Sequence, residues 1–369
     1  MNYLKKIIFI FSLIISFNAK SQYYLGTLDS VYSQTYKENR SLLVYLPKEV
    51  RDRKDSSSHY PVLYVLDGGS HFLAVSGMIK ELSEFAGDMM IPKMIIVCIP
   101  PYNRNKELTP YPISKSKMLP EEIAKETGGA EEFTSFISED VFQYIASKYP
   151  VSNNRTLVGH SFGGIFALNI LSKHKEMFDN YIVIDPSTWY DDRKFSKEVL
   201  NNLKTNNYNG KSMFIGIANT TDIADTSEVI KQKTLFSEHE RSIIAFCNGV
   251  KNINKRSGLQ FYSKYYPDDD HVSVPTIATY DGLRTLFSKY RFSYSSISVR
   301  SFSPSTDIPL FFENISKQLG YKISVSTDIL ERCDATYKRA NDLKRQNEVR
   351  LLYKKLYPKE AEAYIENDK

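Results

Sequence analysis

An α/β fold is predicted for this chain, with a mostly parallel central sheet covered by helices on both faces and a small helical appendage at the C-terminus. Three observations predict it. Short apolar, strand-like runs alternate with longer amphipathic ones, the pattern of strands joined by crossover helices. One of those runs, Leu157-Val158, passes through Gly159-His160-Ser161-Phe162-Gly163 into an apolar stretch with helical spacing at Ile165, Phe166, Leu168, Ile170 and Leu171. The composition then changes after about residue 292.

The first element is a targeting segment rather than part of the fold. Lys5 and Lys6 precede the apolar stretch Ile7 to Phe17, which is too short to span a bilayer but suits the core of a signal peptide. Ala19-Lys20-Ser21 offers small residues at a cleavage site before Gln22, and no cysteine follows for a lipid anchor. Residues 1–21 are therefore expected to be removed, leaving a periplasmic or secreted protein with no integral membrane segment.

Strands are expected at Leu42 to Leu46, Val62 to Leu66, Met94 to Ile99, Thr156 to Gly159, Tyr181 to Ile184, Met213 to Ile217 and Leu259 to Tyr265, and helices notably at Glu131 to Ser147 and Phe162 to Ser172. Residues 22–292 form the main domain in this reading. Ser293 to Ser305, rich in serine, reads as a linker, and 293–369 as linker plus a small helical region patterned by Phe311, Phe312, Ile315, Leu319, Leu343, Leu351, Leu352 and Leu356.

Composition narrows the function classes. With 42% hydrophobic and 25% charged residues, the usage is that of an ordinary globular protein. The net charge of +5 is scattered, with no basic run that would suit a nucleic-acid partner. The three cysteines, Cys98, Cys247 and Cys333, are too few and too widely spaced for a disulfide framework or a metal cluster. No metal or organic cofactor is expected, and the composition leaves the oligomeric state open.

The chemistry starts at Ser161. In G-x-S-x-G the serine sits on a sharp strand-to-helix turn whose flanking positions, Gly159 and Gly163, must lack bulk. A hydroxyl needs a base to take its proton. In elbow hydrolases the base follows the last strands, and His271, after the turn Pro267-Asp268-Asp269-Asp270, fits that order. His239, between Glu238 and Glu240, reads as a helix-packing or solvated side chain, and His160 as structural. For the acid that orients the base, Asp222 after the strand Met213 to Ile217 is favoured and Glu238 is the alternative; Asp185, at the end of the preceding strand, also competes, and a dyad with no acid stays open. The oxyanion donors are expected from the backbone N–H groups of Phe162 and of Gly69, in the loop Asp67-Gly68-Gly69.

Four blocks carry a resemblance: Tyr60 to Gly69, Val158 to Gly164, Ile184-Asp-Pro-Ser-Thr-Trp-Tyr190, and Tyr266 to Pro275. In correct order, over roughly residues 25 to 292, they resemble the esterase family of α/β-hydrolases, which includes siderophore esterases of the enterobactin and bacillibactin type, feruloyl and acetyl-xylan esterases, S-formylglutathione hydrolases and mycolyltransferases. The resemblance implies an α/β-hydrolase fold, Ser161 and His271 as nucleophile and base, Gly69 and Phe162 as oxyanion donors, and hydrolysis of a small-molecule ester through an acyl-enzyme. It does not settle the acid. Arg104 and Trp189, on loops above the serine, are candidate substrate contacts for an anionic or aromatic group. The alternatives are an acyltransferase using the same serine and histidine, or a catalytically silent binding protein on the same fold.

Overall fold

The computed structural model describes residues 26–52, 59–84 and 90–367; the expected targeting segment lies outside them. Eight strands form one sheet in the order β1-β2-β4-β3-β5-β6-β7-β8. They are β1 (Thr27–Ser33), β2 (Glu38–Tyr45), β3 (Tyr60–Leu66), β4 (Ile95–Ile99), β5 (Val151–His160), β6 (Asn180–Ile184), β7 (Ser212–Ala218) and β8 (Gln260–Tyr266). The pairs β1/β2 and β2/β4 are antiparallel. Every other pair is parallel.

The seven strands expected from the sequence are all present, within a few residues at their ends. The central ones, β3, β4 and β6, are buried along their whole length, which is why they read as unbroken apolar runs: helices cover both faces. On β3, Tyr60, Val62, Tyr64 and Leu66 face one core cluster. Leu63 and Val65 face the other, as strand alternation requires.

β1 was not anticipated, and its side chains explain why. Its inward positions are Asp29, Val31 and Ser33, whereas Leu28 and Tyr32 face solvent, the reverse of a readable pattern. The inward polar groups are satisfied from elsewhere: Tyr149 Oη donates to Asp29 Oδ2 at 2.7 Å, and Ser33 Oγ donates to Asp140 Oδ2 at 3.0 Å. Asp140 itself lies in a π-helical segment, Phe136–Val141, that interrupts the helix expected over Glu131 to Ser147. Such single-turn insertions shift the helical phase, and here the shifted segment carries the carboxylate that also accepts from the Gln34 backbone N–H at 2.9 Å.

The C-terminal region is helical, as expected, with helices Pro304–Leu319, Thr327–Arg339, Leu343–Leu356 and Pro358–Asn367. The seam differs from the one the sequence suggests. Phe312, Ile315 and Leu352 are buried as expected, but Leu343, Leu351 and Leu356 are exposed, and Val349 and Tyr353 are buried in their stead. Tyr353 supplies apolar area that leucine spacing does not reveal, while its hydroxyl donates to Glu331 Oε1 at 2.7 Å. These helices share one buried cluster with β4 and the helix Val274–Leu286. No helix among the described residues is long and apolar enough to cross a membrane.

The three cysteines are buried and unpaired. Burial pushes each thiol up to about 12, so they pack as small hydrophobes.

Candidate active site

The carboxyl ends of three adjacent parallel strands build the site. β3 ends at Leu66, β5 at His160 and β6 at Ile184. The residue after each adopts a left-handed backbone conformation, with φ of 53° at Asp67, 58° at Ser161 and 40° at Asp185. None of the three is glycine, so each position costs conformational energy that the surrounding structure must hold in place.

At Ser161 the backbone reverses from β5 into the helix Phe162–Lys173, with φ 58° and ψ −113°. The ladder continues through the turn: Ser161 N–H donates to Ile184 O at 3.0 Å, and Asp185 N–H to Gly216 O at 2.8 Å. This pins the Ser161 and Asp185 turns side by side. A Cβ at Gly159 would stand 2.1 Å from Gly163 O, so glycine is obligatory there. At Gly163 an added Cβ would meet only ordinary contacts, 3.5 Å from Asp67 Oδ2, whereas at Gly164 it would meet Pro186 Cβ at 2.9 Å. The steric demand expected of Gly163 thus falls one residue later.

His271 leaves β8 on a loop that polar groups shape. Asp270 Oδ1 accepts the backbone N–H groups of Val272 and Ser273, both at 2.8 Å, which confirms turn chemistry for the aspartate run. Asn219, just past β7, ties the loop down: its N–H donates to Asp269 O at 2.8 Å and its Nδ2 to Pro267 O at 2.9 Å. The result sets the His271 ring against that of His160, the residue before Ser161, with 4.5 Å between centroids. Ser161 Oγ lies 3.4 Å from Ser187 Oγ in this conformation.

The carboxylate on His271 is Asp185, with His271 Nδ1 to Asp185 Oδ2 at 2.6 Å. It is neither Asp222 nor Glu238. Asp222 is exposed, in a left-handed turn with φ 59°, and Glu238 is held by Arg193 at 2.6 and 2.9 Å and by Arg241 at 2.6 Å. The reason is topological. β6 and β7 run parallel and in register, so the residue ending β6 already stands between Ser161 and the β8 loop, and Asp222 is carried away by the turn that Asn219 Oδ1 caps at the Thr221 and Ile223 N–H groups, 3.3 and 3.2 Å.

Asp185 is fully buried and accepts three hydrogen bonds. Besides His271, Ala218 N–H donates to Oδ1 at 3.0 Å and His239 Nε2 lies 2.8 Å from Oδ2. Burial would raise its pKa, but its electrostatic interaction and hydrogen bond with His239, then those with His271, reverse this and hold the carboxyl well below the usual range. His239 was read as a solvated or packing side chain, and the structure places it on the candidate acid instead. Sequence carries no local signal for that contact, because 54 residues separate the partners.

The two candidate substrate contacts are occupied within the chain. Arg104 forks onto Asp67, with Nε to Oδ1 at 2.8 Å and Nη2 to Oδ2 at 3.0 Å, and reaches His160 O at 3.3 Å. It therefore braces the β3 turn against the β5 elbow. Trp189 is 7% exposed, and its indole N–H donates to His239 Nδ1 at 2.8 Å. Trp189 is buried, whereas the Arg104 side chain stays partly exposed with its guanidinium tied down by Asp67.

Gly69 and Phe162 each sit in the first turn of a helix, Gly68–Glu84 and Phe162–Lys173, where backbone N–H groups have no partner within the helix. Gly68 is packed so closely against β4 that a Cβ would stand 2.1 Å from Cys98 Cβ, and space around Gly69 is open. Burial lowers the pKa of His160 to about 3, with the neighbouring His271 adding to the effect, so His160 is an uncharged wall beside His271. The ligating atoms of Asp185, His239 and His271 lie within 4.8 Å of one another, a donor set that could take a divalent cation. In this conformation hydrogen bonds among the three use those same atoms.

The chain is similar to known proteins in sequence and in fold. The family model described as "Putative esterase" matches residues 33–249. Ferri-bacillibactin esterase BesA of Bacillus subtilis is 32% identical over 162 residues, 41% of this chain and 55% of that protein. Siderophore triacetylfusarinine C esterase of Aspergillus fumigatus is 24% identical over 290 residues, 71% of this chain and 95% of that protein. The matched part spans little more than half the length of the two Bacillus subtilis relatives, 55% and 59%. Among solved structures, an IroE-like serine hydrolase from Shewanella oneidensis superposes with a TM-score of 0.74 at 28% identity, covering 88% of this chain and 97% of that one. The family match runs from the end of β1 through the helix that begins at Glu238 and so takes in the elbow and the Asp185 loop, while His271 lies beyond its end; the chain belongs to this esterase family of α/β-hydrolases.

Proposed function

We propose that this chain is an exported serine hydrolase that cleaves carboxylic esters through an acyl-enzyme, with Ser161 as nucleophile, His271 as base and Asp185 as the acid that orients it. The observation that carries the reading is the placement of His271: its Nδ1 bonds to the Asp185 carboxylate and its ring packs beside the Ser161 elbow. A carboxylate on Nδ1 fixes the proton there, leaving Nε2 with the lone pair a base needs. Catalytic hydrogen bonds are often long before substrate binds, which fits the contact of Ser161 Oγ with Ser187 in the free site.

In the proposed reaction Ser161 Oγ attacks the ester carbonyl while His271 Nε2 takes the hydroxyl proton. The tetrahedral oxyanion faces the N–H groups of Phe162 and Gly69 at two helix starts, with Arg104 keeping the turns that carry them at a fixed separation. Collapse returns the proton to the leaving alcohol and leaves Ser161 acylated. Water then gives a proton to Nε2 and attacks the acyl carbon; as the Ser161 Oγ–acyl bond breaks, Nε2 returns that proton to Ser161 Oγ and the acid is released. The substrate class favoured is a siderophore ester, on the strength of the activities of the relatives named above, with feruloyl and acetyl esters next. Export rests on the residues of the segment 1–21, and we place the boundary between hydrolase domain and helical appendage near residue 292.

The test is turnover of p-nitrophenyl acyl esters, feruloyl esters and catecholate siderophores by wild-type protein and Ser161→Ala, with fluorophosphonate labelling in parallel. Ester cleavage that falls by at least about a thousandfold in the variant is expected, together with labelling of the wild type alone. Equal turnover by both proteins would end the serine assignment.

A further inference from the structure

Asp185 Oδ2 accepts from two imidazoles at once, His271 Nδ1 at 2.6 Å and His239 Nε2 at 2.8 Å. A serine–histidine–acid arrangement requires only the first. The second histidine is itself held with care. An indole N–H can only donate, so the 2.8 Å contact from Trp189 Nε1 makes His239 Nδ1 an acceptor. The His239 proton therefore sits on Nε2, which donates to Asp185.

The backbone around His239 is equally fixed. It occupies the first turn of the helix Glu238–Ser257, docked to the loop after β6 through Glu238 and Ser242. Arg193 forks onto Glu238 at 2.6 and 2.9 Å. Thr188 Oγ1 meets Ser242 Oγ at 2.7 Å, and Ser242 Oγ donates to His239 O at 2.7 Å. Asp185 begins that loop and Trp189 lies within it, so acid, indole and histidine form one rigid unit. Its directed bonds run from the Trp189 N–H to His239, from His239 to Asp185, and from there meet the base.

We infer that His239 is a positioning residue for the proposed reaction, holding the Asp185 carboxylate in the rotamer that meets His271. The inference rests on the assignment of Ser161, His271 and Asp185. Without the His239 N–H, Asp185 can turn about its side chain, and misplacement of the base by about 1 Å costs up to roughly a hundredfold in rate.

The experiment compares His239→Phe, His239→Gln and Trp189→Phe with the wild type, each first checked for an unchanged thermal transition, on the best p-nitrophenyl ester. Phenylalanine keeps the ring and removes both nitrogens, whereas glutamine can donate to Asp185 and accept from Trp189. His239→Phe should lose about 10–100-fold in kcat with KM nearly unchanged. His239→Gln should recover most of the loss. Trp189→Phe, which frees the tautomer while keeping an aromatic ring, should lower kcat by less, and it decides the matter if His239→Phe does not fold. Wild-type kcat in His239→Phe, or in Trp189→Phe where only that variant folds, would overturn the inference. So would a loss of rate that glutamine does not rescue. Undiminished activity in Ser161→Ala would instead remove the underlying assignment, an outcome separable from the others.

Discussion

Ser161 and Asp185 follow the ends of neighbouring parallel strands and both carry a positive φ, 58° and 40°, yet they are held in opposite ways. The Ser161 turn is a local device. Its sharpness depends on Gly159, four residues from the carbonyl of Gly163 that it must accommodate, and on the helix that follows at once. The Asp185 turn is an assembled one. Its carboxylate meets donors from Ala218, His239 and His271, which lie 33, 54 and 86 residues away. A nucleophile needs a fixed backbone so that its hydroxyl projects into the cleft; a buried carboxylate needs every lone pair directed and its charge compensated. The first demand can be written in five consecutive residues. The second can be met only by tertiary structure.

The largest expected effect separates the assembled site from its competitors. Asp185→Asn keeps the shape but presents an amide where two imidazole N–H groups need an acceptor, and it frees the tautomer of His271. A fall of about 10³–10⁴-fold in kcat is expected by analogy with other serine triads. Asp222→Asn should change kcat by no more than about twofold, because an exposed carboxylate away from the site carries little. Steady-state kinetics on one ester measures both, and the reverse ranking would restore Asp222 as the acid.

The same contrast explains how much was legible in the sequence. Strands buried on both faces, such as Val62 to Leu66 and Tyr181 to Ile184, are written as apolar runs, and Ser161 and His271 stand in local patterns with known mechanics. β1 was hidden because Asp29 and Ser33 point inward to partners over a hundred residues distant. Asp185 lost to Asp222 in the sequence reading because chain order alone favours a carboxylate after the penultimate strand. Which strand end stands nearest the β8 loop depends on register. Arg104 and Trp189 were visible as charge and aromatic area, but residue type does not say whether a fork is filled by Asp67 or an indole N–H by His239.

A second comparison lies within the elbow and should yield a smaller effect. Gly159→Ala places a methyl group 2.1 Å from the Gly163 carbonyl oxygen, backbone that cannot rotate away. Overpacking of this kind costs about 1–3 kcal/mol, and activity should fall along with stability because the Ser161 turn must open. Gly163→Ala meets nothing closer than 3.5 Å and should leave the midpoint of chemical denaturation within about 0.5 kcal/mol of wild type. Urea unfolding of the two variants beside the wild type measures the difference. Equal destabilisation would mean that both motif glycines are sterically required after all.

The smallest expected effect concerns pH, where Asp185 and His160 again part company. Both have lowered pKa values, but the consequences for stability start from different reference points. Asp185 is ionised in the native state and remains so below the range where an unfolded aspartate takes up its proton. Its contribution is present at neutral pH, intact above the unfolded value near 4, and is lost as acid carries the protein down toward the folded value. His160 is uncharged in the native state down to about 3, whereas an unfolded histidine takes up a proton near 6.5. Between those two values the unfolded chain binds the extra proton, so stability declines as pH falls, earlier than the aspartate term begins to act. Replacing His160 with Phe, which preserves an aromatic surface for His271, should flatten the stability curve between about pH 6 and 4.5 while leaving the steeper loss at lower pH in place. Urea midpoints taken at half-unit steps resolve the two limbs. A slope unchanged in His160→Phe would show that the ring is solvated and free to protonate, and would remove it as the uncharged wall beside His271.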